Sequence, residues 1–194
     1  MSKPAIAVIT GSTRPGRKSD TVARWVLQAA QERSDATFEL VDVADYKLPL
    51  LDEPAPPMMG QYTQPHTKAW SAKIASFDGY VFVTPEYNHS IPGALKNAID
   101  FLNREWNNKA AGFVSYGGGA SGSRAVEHLR VVMAELMVAT VRAQVLMSLF
   151  ADFENWATFK PLPNRAGELS TLLDQVVAWS TAMKTLRATT PSNP

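Results

Sequence analysis

A chain of 194 residues, of which 45% are hydrophobic, can build one domain with a sizeable core, and its length argues against a second domain. The formal net charge of +1 argues against a nucleic-acid partner or an acidic carrier protein, and the absence of cysteine excludes disulfides, thiolate metal ligands and cysteine nucleophiles. The residues after Met1 lack the apolar segment of an export signal, and no apolar run is long enough to cross a bilayer, so we expect a cytoplasmic protein without membrane contact.

The first predicted strand, residues 5–10, is a continuous apolar run, as expected of a strand that is covered on both faces. It leads through a glycine-containing loop, residues 11–19, to a helix over about residues 20–33. Free N–H groups at the start of a helix, together with nearby hydroxyls and cations, favour the binding of a phosphate group. The hydroxyls and cations in this region belong to Ser12, Thr13, Ser19, Thr21, Arg14, Arg17 and Lys18.

Two other interpretations of this loop stay open. In the first, its basic side chains only face water. In the second it is a nucleotide P-loop, because Gly11 and Gly16 have the G-x-x-x-x-G spacing and Lys18 precedes Ser19. Arg17 argues against the second interpretation, since it displaces the lysine by one position from where that motif needs it.

A second strand is predicted over residues 37–43 and a third over residues 79–84, with a short helix between them over about residues 64–76. The connection of residues 45–65 is rich in proline and is expected to be irregular. A loop of this length in a small domain usually covers a site or meets a partner subunit.

The third strand ends in a polar and aromatic tip, residues 86–90, before a helix whose first turn carries Pro92. That helix has one apolar stripe, made of Leu95, Ala98, Ile99 and Leu102. Open α/β sheets bind ligands at the carboxyl ends of their strands, which favours a site at this tip. An ordinary connecting loop has a similar composition, so that alternative stays open.

The fourth predicted strand, residues 110–115, leads into a loop in which Gly117, Gly119 and Gly122 match G-x-G-x-x-G. A dinucleotide fingerprint belongs after the first strand and needs an acidic residue about 20 positions further on, so this match is weak. We interpret the glycines as allowing backbone N–H groups to approach a flat ring.

The rest of the chain is predicted to form a helix over residues 123–137, a fifth strand over residues 140–147 and a last helix that ends near Leu186. The aromatic stretch of residues 150–159 has no periodicity, and we interpret it as a surface loop suited to contact with a neighbouring subunit. His89 and His128 have no partner at metal-ligand spacing, so no metal site is expected.

Five strands that alternate with helices predict an α/β protein with three layers around a parallel sheet. The string Pro85-Glu86-Tyr87-Asn88, followed by residues 92–100, resembles the signature of the NADPH-dependent FMN reductase family, which includes flavodoxin-like quinone, chromate and azo-dye reductases. The resemblance implies a flavodoxin-like three-layer sandwich with strand order 2-1-3-4-5. We expect one FMN-binding domain over residues 1–187 and a loose tail over residues 188–194.

The resemblance also implies which residues hold FMN. Gly11, Ser12 and Arg14 match the phosphate loop G-S-x-R of the family, whereas Arg17 stands where many relatives have a serine. The loops after the third and fourth strands are expected to contact the flavin ring, with Tyr87 and His89 lining its open face. The expected contacts are Ser12, Arg14, Arg17, Ser19, Thr21, Pro85, Glu86, Tyr87, Asn88, Ser115, Tyr116, Gly117 and Gly118.

The implied activity is that of an oxidoreductase in which hydride passes from NADPH or NADH to FMN and then to quinones, free flavin or similar small acceptors. No side chain is expected to act as an acid, a base or a nucleophile. The family is usually dimeric, so we expect a homodimer or a dimer of dimers. Two other functions stay open, a flavin protein that only carries electrons and a P-loop nucleotide phosphohydrolase.

Overall fold

The computed structural model describes residues 2–189, whose centre is a parallel sheet of five strands. The strands are β1 (Ala5–Thr10), β2 (Thr37–Asp42), β3 (Gly79–Pro85), β4 (Lys109–Gly117) and β5 (Val138–Ser148). Their order in the sheet is β2-β1-β3-β4-β5, which confirms the predicted order. The inner strands β1, β3 and β4 are almost wholly buried, as their continuous apolar runs predict.

Helices cover both faces of the sheet. They are α1 (Ser19–Gln31), α2 (Pro65–Ala75), α3 (Gly93–Asp100), α4 (Ser123–Glu135) and α5 (Arg165–Thr189). One face is covered by α1 and α5 through residues such as Val22 and Leu172, and the other by α2, α3 and α4 through Trp70, Leu95 and Leu129. The prediction of three layers is therefore confirmed.

None of the helices within residues 2–189 has the length and apolar character that a membrane span requires.

The register of the sheet aligns the carboxyl ends of the three inner strands. Thr10 of β1 lies beside Val83 of β3, and Pro85 of β3 lies beside Tyr116 of β4. The loops that follow these strands therefore meet at one edge of the sheet. The strands β1 and β3 flank the point where the strand order reverses, which is where open α/β sheets form a crevice.

The proline-rich connection between β2 and α2 is irregular for most of its length, as predicted, but it includes two 3₁₀ helices, Val43–Tyr46 and Pro57–Met59. Asn97 of α3 holds the connection in place. Its Nδ2 donates to the carbonyl of Pro49 at 2.7 Å, and its Oδ1 accepts from the N–H of Leu51 at 3.0 Å. Leu50, between these two bonds, is consequently held in a position where 85% of its surface is exposed.

The stretch after β5 differs from the prediction of an irregular loop. Residues 150–159 contain a small antiparallel hairpin, formed by β6 (Phe153–Glu154) and β7 (Thr158–Phe159). At its tip Asn155 and Trp156 have φ values of 51° and 60°, the left-handed conformation that a type I′ turn requires. No glycine marks this turn, so the sequence lacks the usual signal for a tight hairpin.

The last helix continues past Leu186, its predicted end, and includes Thr189. Residues 188 and 189 of the predicted tail therefore belong to α5, and residues 190–194 lie outside the described residues. Asp78, just before β3, holds this end of the helix. It accepts a hydrogen bond from Lys184 Nζ at 2.8 Å, pairs with Arg187, and accepts another bond from the N–H of Ala5 at 3.0 Å.

Gly122 occupies a crowded position at the start of α4. Its φ is +84°, and a Cβ atom there would lie 2.6 Å from Cβ of Ser115 and 2.9 Å from the backbone nitrogen of Tyr116. Glycine is thus needed both for the backbone conformation and for the close approach of α4 to β4. In the same loop Gly119 has open space around it and no positive φ.

We predict that Gly122→Ala lowers the free energy of unfolding by at least about 2 kcal/mol, because it combines backbone strain with overpacking. Urea denaturation measures this loss. Gly119→Ala is the matched control and is expected to change stability by no more than about 0.5 kcal/mol. Equal stabilities of the two variants would show that the close approach does not constrain the fold.

Lys109 is buried at the opposite edge of the sheet from the convergent loops, with 5% of its surface exposed. Its Nζ donates to the carbonyl of Ile74 and to the hydroxyl of Tyr80, both at 3.0 Å. Burial lowers the pKa of Lys109 to about 7 from the usual 10.5; the charge of Arg187 lowers it further, whereas nearby carboxylates oppose the shift. The folded chain therefore disfavours the charged form of this lysine.

Between pH 7 and pH 10 the unfolded chain binds a proton at Lys109 that the folded chain releases, so the free energy of unfolding should rise with pH. The expected slope from this group is up to about 1.4 kcal/mol per pH unit. Lys109→Met should remove that contribution, whereas the control Lys96→Met, at an exposed site, should retain it. Denaturation series between pH 7 and pH 9.5 test this, and an unchanged slope in Lys109→Met would refute the assignment.

Candidate functional site

The loop after β1 is tied to the loop after β3 by one hydrogen bond. Ser12 is fully buried, and its Oγ lies 2.9 Å from the hydroxyl oxygen of Tyr87. The backbone N–H of Arg14 donates to the same Ser12 oxygen at 3.3 Å. The resemblance assigns Ser12 to the phosphate of FMN and Tyr87 to the flavin ring. The two residues are thus in direct contact, although they are 75 positions apart in the sequence.

The two arginines of the first loop have different surroundings. Arg17 donates to Asp20 at 2.6 Å and pairs with Asp42 at the end of β2, and the hydrogen bond to Asp20 is the main reason that its pKa is raised. Arg14 is exposed, and within residues 2–189 it makes no ion pair. The guanidinium available to an incoming anion is therefore that of Arg14, while Arg17 is already paired with two carboxylates.

The N-terminus of α1 points free donors at this edge of the sheet. The first bond within the helix runs from the N–H of Val22 to the carbonyl of Lys18, so the preceding N–H groups have no partner inside the helix. The hydroxyl of Ser19 is buried and has no hydrogen-bond partner among the described residues. Thr21, which was also predicted to contact the phosphate, is exposed.

The tip after β3 is a tight turn. The N–H of Tyr87 donates to the carbonyl of Ser90 at 2.9 Å, and the N–H of Ser90 donates back at 3.1 Å. Asn88 and His89 have φ values of 47° and 74°, as a type I′ turn requires, and both side chains are exposed at the tip. Strained backbone of this kind is common where a ligand is held.

His89 has a neighbour that the sequence spacing does not indicate. The centre of its ring lies 6.3 Å from that of His128 on α4, and Nδ1 of His128 lies 2.9 Å from Oγ of Ser90. The pair forms part of the exposed surface beside the turn. Within the described part of the chain, no group of three or more histidine or acidic side chains could hold a metal ion.

Glu86 links the loop after β3 to the end of β4 and to the first turn of α4. Its N–H donates to the carbonyl of Tyr116 at 3.1 Å, and its Oε1 accepts from Nε of Arg124 at 2.6 Å. The side chain of Glu86 is only 6% exposed, and its second oxygen, Oε2, is buried without a partner among the described residues. Arg124 was not predicted as a site residue; its position in the first turn of α4, after a glycine-rich loop, was the available signal.

At the end of β4 the hydroxyl of Ser115 already has a partner, since it donates to the carbonyl of Ser121 at 3.0 Å. Tyr116 turns its side chain toward the face covered by α1 and α5, where its hydroxyl is buried and has no hydrogen-bond partner among the described residues. Gly117 accepts a hydrogen bond from the N–H of Leu149 at 2.9 Å, while Gly118 is partly exposed.

The fold occurs in solved flavoenzymes. FerB, a flavoenzyme NAD(P)H:(acceptor) oxidoreductase from Paracoccus denitrificans, superposes with a TM-score of 0.72 over 93% of this chain and 98% of its own, at 21% identity. The apo form of the NADH:FMN oxidoreductase EMOB superposes with a TM-score of 0.70 over 91% of this chain and 89% of its own, at 24% identity. At these identities the likeness shows the fold alone.

The sequence comparison is more specific. An NAD(P)H-dependent FMN reductase of Schizosaccharomyces pombe is 50% identical over 121 residues, which cover 61% of this chain and 60% of that protein. A quinone reductase of Pseudomonas putida is 35% identical over 130 residues, which cover 64% of this chain and 66% of that protein. The matched stretch thus spans less than two thirds of each relative. The family described as NADPH-dependent FMN reductase matches residues 4–152, well over half of the sequence, and the chain therefore belongs to that family.

Proposed function

We propose that this chain is an NAD(P)H-dependent oxidoreductase that uses bound FMN to reduce quinones or similar small acceptors. The observation that carries the proposal is the convergence of three loops on one edge of the sheet, where buried polar atoms of Ser19, Glu86 and Tyr116 have no partner in the described chain. Buried polar groups in native proteins are nearly always hydrogen-bonded, so these atoms are suited to a polar ligand.

The chemistry of these groups fits FMN. An anionic phosphate matches the free N–H groups of α1, the Ser19 hydroxyl and the exposed guanidinium of Arg14. At the other end, Oε2 of Glu86 can accept a hydrogen bond from a ring N–H group, and backbone N–H groups of the loop after β4 can donate to ring oxygens. The remaining predicted contacts, including Pro85, Asn88 and Gly118, belong to the same proposal.

FMN, when bound, supplies the transfer of hydride and electrons. The chain supplies binding and orientation. The bond between Ser12 and Tyr87 holds the loops after β1 and β3 together, and the pair of Glu86 and Arg124 holds the loop after β3 against the first turn of α4. The loops therefore present a fixed surface. Because these groups are already ordered, little conformational entropy has to be lost on binding. No step assigned to the chain requires a side chain to gain or lose a proton.

Several finer features belong to the same proposal. Relatives named as quinone reductases support a quinone or another small planar acceptor. Either NADPH or NADH serves as the donor in this proposal. A homodimer is supported by the exposed side chains of Leu50 and Met58 on the proline-rich connection, which are 85% and 66% exposed. A cytoplasmic location also remains a prediction.

The rival P-loop phosphohydrolase is disfavoured by the position of Lys18. Its Nζ lies 3.4 Å from the carbonyl oxygen of Ala157 and 5.4 Å from the centre of the Phe153 ring. The lysine is thus turned toward the β6–β7 hairpin, where it contacts protein groups instead of lying free over the loop. A Walker lysine has to reach the phosphates of the nucleotide.

The purified protein is expected to show flavin absorption bands, either as isolated or after addition of FMN. It should then oxidise NADPH or NADH in the presence of a quinone, with the double-displacement kinetics of one site used in turn by both substrates. A flavin-loaded protein that does not turn over NADPH or NADH would instead be an electron carrier. A colourless protein that binds ATP with magnesium would overturn the proposal altogether.

Arg14→Ala is expected to weaken FMN binding by about 1 to 3 kcal/mol, since it removes a charge-assisted hydrogen bond to the phosphate. The loss should shrink as salt is added, because the arginine is exposed and its charge is screened. Fluorescence titration with FMN measures both effects. Arg24→Ala, an exposed arginine of α1, is the control and should bind FMN like the wild type. An unchanged affinity in Arg14→Ala would remove this arginine from the site.

A further inference from the structure

Two buried hydroxyls lie on the side of the sheet where α1 begins. The Ser19 hydroxyl belongs to the first residue of α1 and the Tyr116 hydroxyl to the end of β4; these residues are 0% and 4% exposed. Neither hydroxyl has a hydrogen-bond partner in residues 2–189. Leaving a hydroxyl buried and unpaired costs about 1 to 3 kcal/mol, so two such groups close together point to a missing acceptor.

The groups around Tyr116 indicate what kind of acceptor is missing. Burial is the largest influence on its hydroxyl and raises its pKa, so Tyr116 is neutral and able to donate at neutral pH. The charges of Tyr87 and Asp20 also raise the pKa of Tyr116. A close contact with the Ser19 hydroxyl and the charge of Arg14 lower the pKa, but the two hydroxyls do not meet at hydrogen-bonding geometry. The ring centre of Phe153 lies 6.2 Å from that of Tyr116 and 5.4 Å from Lys18 Nζ, which places the Tyr116 ring beside the end of the first loop.

The electrostatics of this region favour an anion. Free N–H groups at the start of α1 and the guanidinium of Arg14 provide positive charge. The nearest opposing charge on α1, Asp20, is paired at 2.6 Å with Arg17, which it shares with Asp42, so its charge is only partly offset. A phosphate accepts several hydrogen bonds at once and is suited to two hydroxyl donors beside a helix N-terminus.

The position of Tyr116 is fixed before any ligand arrives. Its ring packs in the core under α1 and α5 with its centre 6.2 Å from that of Phe153, and its carbonyl accepts the N–H of Glu86. The alternation of side chains along a strand directs this ring away from the face covered by α3 and α4. Tyr116 thus differs from its neighbours Gly117 and Gly118, which have no side chain to present.

We propose that the hydroxyls of Tyr116 and Ser19 both donate to the phosphate of FMN, so that Tyr116 distinguishes a phosphorylated flavin from riboflavin. This inference rests on the proposed function. It moves the side chain of Tyr116 from the flavin ring, where the resemblance put it, to the phosphate end of the ligand. Both ends of the cofactor are then held from this part of the chain, the ring by the backbone of the loop after β4 and the phosphate by the side chain of Tyr116 at the end of β4.

The test compares the dissociation constants of FMN and riboflavin for the wild type and for Tyr116→Phe by fluorescence titration. We expect the affinity for FMN to fall by about tenfold or more, as for loss of a hydrogen bond to a charged group, and the affinity for riboflavin to stay the same. Tyr80→Phe is the matched control, because its buried hydroxyl has protein partners at the opposite edge of the sheet. It should leave the ratio of the two affinities unchanged.

Thermal unfolding without ligand gives an independent readout. Because Tyr116→Phe removes an unpaired buried hydroxyl, the ligand-free variant should melt at or above the temperature of the wild type, while its stabilisation by FMN should be smaller. Ser19→Ala is expected to show the same selective loss of FMN affinity, and it replaces the tyrosine variant if that variant does not fold.

Equal losses for FMN and riboflavin in both variants would overturn the inference, since the residues would then act at the ring or on the fold. An unchanged FMN affinity in both variants would also overturn it, while the proposed function would stand as long as the wild type binds FMN. Failure of the wild type to bind FMN at all would instead refute the proposed function.

Discussion

The site depends on the in-register alignment of β1, β3 and β4. Since these strands are parallel and end at the same level, the three loops that follow them are held together by the hydrogen bonds of the sheet. Two contacts between loops complete the arrangement, Ser12 with Tyr87 and Glu86 with Arg124. A slip of one residue in β3 would turn its side chains to the other face and separate both pairs, whereas a slip in β1 or β4 would separate one pair.

The two edges of the sheet differ in their chemistry. At the carboxyl edge, Ser19, Glu86 and Tyr116 have buried polar atoms without partners among the described residues. At the amino edge, the buried amine of Lys109 has carbonyl and hydroxyl acceptors, and Asp78 is fully engaged by cations. Of the five buried side-chain polar atoms without a partner in residues 2–189, the three at the carboxyl edge lie where a ligand is expected, while Thr67 on α2 and Ser180, packed against Gly79 near the amino edge, lie elsewhere.

Much of the fold could be predicted from the sequence because continuous apolar runs and glycine-rich loops are local signals. The hairpin at Asn155 and Trp156 could not, since its turn has no glycine. The loops of the site were also recognisable, but not the roles of single side chains. That Arg17 is bound by Asp42, or that Glu86 pairs with Arg124, depends on residues 25 and 38 positions apart, which local patterns do not report.

The role of Asp78 has a consequence for how the chain acquires its structure. One carboxylate joins the N–H of Ala5 at the first strand to Lys184 and Arg187 on the last helix. Contacts between such distant parts of a chain form slowly, because a long loop must close before they can contribute. During synthesis on the ribosome, the carboxylate has no cationic partner from α5 until Lys184 and Arg187 have emerged, so folding of this edge has to wait for the last helix.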